Sequence, residues 1–153
     1  TVQARGVVVS LGGIRQGIAD VLSDLPDVRV EALLPNSPDS LLGSNPLIVI
    51  QPGEPYVRYS EGSGRVNKNE VMFRVICLPL PGMGAERVQT VLDEFLSCGT
   101  SEARSIRSKL GENISANGTA CAVSVQEAVI RTYRIGALDV TGAEVQVQVT
   151  ARC

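Results

Sequence analysis

The chain has 153 residues and a mass of 16.2 kDa, with 14 Lys and Arg against 16 Asp and Glu. That is the size of one domain. It contains no His and no Trp, its aromatic residues are three Tyr and two Phe, and its basic residues are scattered singly; this excludes Ser-His-Asp and Cys-His catalysis, HExxH zinc sites and imidazole switches, and it speaks against a nucleic-acid binder.

Apolar side chains at Leu11, Ile14, Ile18, Val21, Leu22 and Leu25 trace one helical stripe. The spacing predicts a helix over 11–25, capped by Ser10 and stopped at Pro26. Residues 1–9 precede it as an arm or a helical extension. Alternation over Val28 to Leu34 predicts a strand, broken by the Pro35 to Pro38 stretch. Leu47 to Ile50 is a continuous apolar run, the mark of a strand covered on both faces. Pro52 to Pro55 should end or bulge it, with extended chain resuming at Tyr56.

Residues 61–69 read as an extended hairpin loop, longer than the two to five residues usual for such connections. Beyond it Val71, Phe73, Val75 and Cys77 share one face of a strand, with Met72, Arg74 and Ile76 on the other. Val88, Val91, Leu92 and Phe95 then form a helical stripe ending at Gly99. Ser101 is expected to cap a shorter helix through Ile106 and Leu110. The last third is β: Cys121, Val123 and Val125 alternate, Val129 to Ile135 is extended, and Thr141-Gly142 should be the turn into a final strand of Val145, Val147, Val149 and Ala151. Hairpin-joined strands with helices grouped between them predict a single α+β domain over 1–153, a mainly antiparallel sheet packed against two or three helices.

No constellation of reactive residues stands out. Gly62-x-Gly64 and Gly82-x-Gly84 lack the third glycine of a dinucleotide loop and the Lys-Ser/Thr of a P-loop. The acids Asp93 and Glu94, with Glu61 or Glu70, read as solvated surface. The sequons at Asn113 and Asn117 read as polar loop, and Arg104, Arg107 and Lys109 suit a helix C-terminus. Cys77, Cys98, Cys121 and Cys153 show no CxxC spacing, which argues against zinc. Cys77 and Cys121 keep the parity of apolar neighbours and are expected to be buried free thiols.

No metal or cofactor is expected. Apolar runs reach four residues, far short of the roughly 20 of a membrane helix. Residues 1–25 lack signal-peptide features, so the chain reads as cytosolic.

What the pattern does suggest is a surface for other subunits. Gln146, Gln148 and Thr150 form a polar, uncharged strand face, and charge is depleted at interface centres. The 61–69 loop, with Glu61, Arg65, Asn67 and Lys68, is expected to reach a neighbour.

The strand Val71 to Leu80, the helix Arg87 to Leu96 with Cys98-Gly99, Ser105-Ile106-Arg107 with Leu110, the pair Tyr133 and Gly136, and the closing Val140 to Val149 together resemble the small tail terminator and neck proteins of long-tailed phages, particularly those of actinobacterial hosts. The resemblance spans about residues 10–152. It implies an α+β virion protein, a homo-hexameric ring at the head-proximal end of the tail tube, stopping tube growth and joining the tail to the head connector. Its partners would be the major tail tube protein and the connector or stopper protein, with DNA passing through the lumen without specific binding. It implies assembly in the host cytoplasm and no catalysis. The competing readings are a stopper or head-completion ring, a cellular ligand-binding α+β domain, and a small enzyme with Cys77 or Cys98 as nucleophile.

Overall fold

The structure is a computed structural model; it describes residues 10–31, 45–59, 68–79, 84–97, 105–112 and 122–152. In chain order the elements are α1 (Leu11–Leu22), β1 (Arg29–Glu31), β2 (Leu47–Arg58), β3 (Lys68–Leu78), α2 (Ala85–Leu96), α3 (Ile106–Glu112), β4 (Ala122–Ile135) and β5 (Leu138–Arg152). The strands form one sheet in the order β1-β2-β3-β5-β4. Every pairing is antiparallel except β1 with β2, which is parallel. The α+β architecture is the one expected.

Alternation along β3 and β5 sorts side chains between the two faces of the sheet. Ile48, Ile50, Val71, Phe73, Val75, Cys77, Val145, Val147 and Val149 lie in one core cluster with the buried stripes of all three helices. Phe73 is fully buried and meets Tyr56 edge-on, with ring centroids 5.6 Å apart; such pairs add about 0.5–1.5 kcal/mol beyond burial. Leu47, Val49, Ile76, Leu78, Ile135 and Val140 form a second buried cluster, with Tyr133 packed against it. Leu47 to Ile50 is therefore covered on both faces, as its unbroken apolar run implies.

The helices are closed by local hydrogen bonds. The Ser10 Oγ accepts from the Gly13 N–H at 2.9 Å and caps α1. The helix ends at Leu22 with Ser23 as its C-cap, short of Pro26. Leu25 stays buried by following α1 in a turn, its N–H donating to the Leu22 carbonyl at 3.1 Å. The apolar stripe thus runs one turn past the end of the helix. The short third helix starts after Ser105, whose Oγ accepts from the Ser108 N–H at 3.1 Å and donates to the Ser97 carbonyl at 2.7 Å. Ser105 thus caps α3 and ties the end of α2 to its start, while Ser101, the expected cap, lies outside the described residues.

Of the two outcomes expected at Pro52 to Pro55, the structure shows the bulge: β2 runs on through it, and the register with β3 shifts between Pro52 and Val57. Gly53 is required there, because a Cβ would stand 2.7 Å from the Met72 Cβ. Lys68 and Asn69 are not loop; they open β3 opposite Arg152 and Ala151. The turn between β4 and β5 is Gly136-Ala137, not Thr141-Gly142. Gly136 takes the positive φ of 63° that the first position of a tight two-residue hairpin turn favours. Thr141 and Gly142 are strand residues opposite Thr132 and Arg131. A Cβ on Gly142 would stand 2.6 Å from the Cys77 carbonyl oxygen, so glycine there marks a close backbone approach.

Candidate functional site

The sheet face away from the helices carries the one dense polar cluster among the described residues. It is built from β3, β4 and β5 by register. Ile76 lies opposite Glu144 and Arg74 opposite Gln146, while Val129 lies opposite Glu144 from the other side. Arg74 and Arg131 therefore flank Glu144 diagonally.

Glu144 is only 3% exposed. The Arg131 Nε lies 3.3 Å from one carboxylate oxygen, and the Arg74 Nη1 lies 3.6 Å from the other. The Tyr133 hydroxyl donates to that second oxygen at 3.0 Å. The Arg74 Nε in turn donates to the Pro52 carbonyl at 2.9 Å, so the β2 bulge is tied to the same group. A buried carboxylate requires such partners, since an unpaired one costs several kcal/mol. Burial and then the Glu144 charge push the Tyr133 hydroxyl well above its ordinary pKa, keeping it a donor. A cavity of about 350 Å³ opens beside the cluster, bounded by Glu54, Met72 and Gln146.

A second groove, of about 290 Å³, lies on the helix side, between Phe95, Leu96, Ile106 and the β4 residues Val125 and Ala128. The register of β4 against β5 shifts here, between Val125 and Glu127. The shift reverses the parity of β4. Val123 and Val125 pack toward the helices, whereas from Glu127 onward the odd positions share the face of Glu144. All of Gln126 to Arg134 is exposed except half-buried Tyr133.

Of the residues expected at an interface, Gln146 and Gln148 lie half-buried on β5, facing Arg74 and Met72 across the strand pair. Lys68 opens β3. Glu61, Arg65 and Asn67 lie outside the described residues, as do Cys98, Cys121 and Cys153. The final strand's polar face is not uncharged: Glu144 belongs to it, and Arg74 and Glu70 stand opposite it on β3. The acid that opens the Val145 to Val149 alternation, on the same face as Gln146 and Gln148, was the available signal for this cluster.

Cys77 is a buried free thiol, and burial pushes its pKa far up. It holds its proton at neutral pH and lacks the thiolate that a nucleophile needs. Among the described residues, no group of three His, Cys, Asp or Glu is placed to hold a metal ion, and no helix is long and apolar enough to cross a membrane. No protein-family model matches the chain, and no curated protein matches its sequence.

Proposed function

We propose that this chain is a structural virion subunit: a tail terminator that forms a hexameric ring at the head-proximal end of a phage tail tube. In this role it stops tube polymerisation and joins the tail to the head connector. The reading rests on the resemblance of its element and motif succession to small tail terminator and neck proteins. The observation that supports it best is the exposed outer half of the sheet, where β4 presents an edge that no strand pairs among the described residues, with solvent-facing Val129 and Ile130. Exposed sheet edges are liabilities unless another chain covers them.

The major tail tube protein and the connector or stopper protein are the partners this role requires. Heterologous contacts that close on themselves make rings. Each subunit carries a formal charge of −2, so a hexamer carries net negative charge, suited to a lumen that passes DNA without holding it. The second reading, a stopper or head-completion ring, shares these features and differs in where the ring docks.

Two measurements test the role. Particle mass and negative-stain images of the purified chain should show a ring of six copies, alone at high concentration or once seated on tail tubes. A phage lacking the protein should make tails of uncontrolled length that fail to join heads. Normal-length, head-joined tails in its absence overturn the terminator role even where a ring is seen.

A further inference from the structure

The exposed edge of β4 is complementary to itself. Its other edge is paired along its length with β5, and among the described residues no strand covers the free one. The stretch past the register shift reads Glu127-Ala128-Val129-Ile130-Arg131. It places two exposed apolar residues, Val129 and Ile130, at 36% and 45% exposure, between opposite charges. We infer that the free subunit forms a two-fold dimer by antiparallel pairing of this edge with the same edge of a second copy, centred on Val129.

The register follows from backbone and charge together. Residues flanking a two-residue turn form a hydrogen-bonded pair, and such pairs alternate along an antiparallel ladder. Counting back from Ile135 and Leu138, the odd positions of β4 bond to β5. The N–H and C=O groups of Ala128, Ile130 and Thr132 then turn outward. A two-fold centred on Val129 sets Ala128 opposite Ile130 of the second copy, so these outward groups meet in a hydrogen-bonded pair.

The same register sets Glu127 directly opposite Arg131, twice. Moving the centre by one residue keeps the backbone match but sets Glu127 opposite Tyr133 or Val129, and the charge pairing is lost. Opposite charges facing across strands stabilise the pair, whereas like charges oppose it. Arg131 spends its Nε on Glu144, and a guanidinium has further N–H donors to give.

The contact stands apart from the terminator reading. A two-fold dimer presents identical ends, whereas a terminator ring has two different faces, so the dimer opens before ring assembly. Until then it covers an edge that would otherwise pair at random.

The test is sedimentation of the purified chain over a concentration series, with three variants. Wild type should populate a species of twice 16.2 kDa at concentrations below those at which any ring forms. Glu127→Arg sets Arg against Arg131 and should weaken the dimer about tenfold. Ile130→Pro removes one outward N–H, which an edge strand tolerates; it should melt like wild type at concentrations where wild type is monomeric, and stay a monomer where wild type dimerises. Val129→Cys brings two thiols together at a non-hydrogen-bonded pair, with Cα atoms about 4.5 Å apart, within disulfide reach. Under mild oxidant it should cross-link far faster than Glu127→Cys or the wild-type chain with its four native cysteines.

A monomer at every concentration overturns the inference, as does direct assembly to a ring with no dimer. A folded Ile130→Pro variant that stays dimeric overturns it too. If that variant unfolds, the cross-linking comparison decides: equal rates for Val129→Cys and Glu127→Cys refute the register.

Discussion

The two ends of β4 belong to the same strand and are treated differently by the rest of the molecule. Before the register shift, Val123 and Val125 pack against the helix-backed core. After it, Val129 and Ile130 face water although they are as apolar. Near the shift, Phe95, Leu96 and Ile106 line a groove with Val125 and Ala128. Past that point the hairpin is held by its ladder to β5, by the Glu144 cluster and, at its far end, by Ile135 and Tyr133 in the second apolar cluster. The first stretch of the strand is fixed by apolar burial, and the stretch from Glu127 to Thr132 by backbone pairing and charge. Sequence-equivalent residues therefore carry unequal weight, and substitution should expose the inequality.

The largest effect belongs to the helix-backed half. Phe73→Ala removes a fully buried ring that also meets Tyr56. It should cost about 3–5 kcal/mol, a large fraction of a typical total stability of about 5–15 kcal/mol. Urea unfolding followed by circular dichroism measures it. A loss below about 1 kcal/mol would mean that this core is not the anchor of the fold.

The polar cluster should come next, and only when Glu144 loses both guanidinium partners. The double variant Arg74→Met, Arg131→Met leaves a carboxylate that is 3% exposed with only the Tyr133 hydroxyl. Stripping the partners from a buried charge costs about 3–5 kcal/mol. Urea unfolding of the double variant and of the two single variants measures it. Either single variant should cost much less, because the remaining arginine still pairs with Glu144. A double-variant loss no larger than the sum of the two single losses would assign the arginines a packing role instead.

Tyr133→Phe probes the same cluster more gently. At neutral pH it should cost about 1 kcal/mol, below the roughly 1.5–3 kcal/mol of a buried hydrogen bond to a charged group, since Tyr133 is partly open to water. Burial and the Glu144 charge raise the folded-state pKa of the hydroxyl. Its contribution is therefore complete below the unfolded value of about 10 and is lost as the pH climbs beyond it. The gap between wild type and variant should close above pH 10, read from urea midpoints at successive pH values. Cys77 titrates in both chains and cancels in the difference.

The strands that could be read from the sequence are those whose burial is decided by local alternation. Val71, Phe73, Val75 and Cys77 declare their face, and the stripes of α1 and α2 declare theirs. Features set by contacts between distant strands stayed hidden. Thr141-Gly142 has the composition of a turn, yet Gly142 is glycine because the Cys77 carbonyl passes against it. The true turn, Gly136-Ala137, has no Asn or Asp to announce it.

Glu144 belongs to a polar strand face, where an acid is ordinarily a solvated residue. Only the pairing of β5 with both β3 and β4 brings Arg74 and Arg131 to it. The parity reversal at Gln126 was hidden for the same reason, because nothing in that residue's side chain marks a bulge. Of the residues expected at an interface, Gln146 and Gln148 were placed on the right strand, but the charge of the face around them was missed.

The smallest effect is expected at Ile130, and it tests the comparison from the other side. Ile130→Thr keeps the β-branched shape that a strand favours and removes apolar surface that is already 45% exposed. Surface substitutions away from special features usually change stability by less than about 0.5 kcal/mol. Thermal unfolding should show this at protein concentrations low enough for the monomer to dominate, because a dimer lends the edge extra stability by mass action. Raising the concentration should then separate the two chains, with wild type gaining more than the variant as the apolar edge is covered. A variant that loses several kcal/mol as a monomer would mean that the outer half of β4 is anchored by apolar burial after all, and the distinction between the strand's two ends would fall.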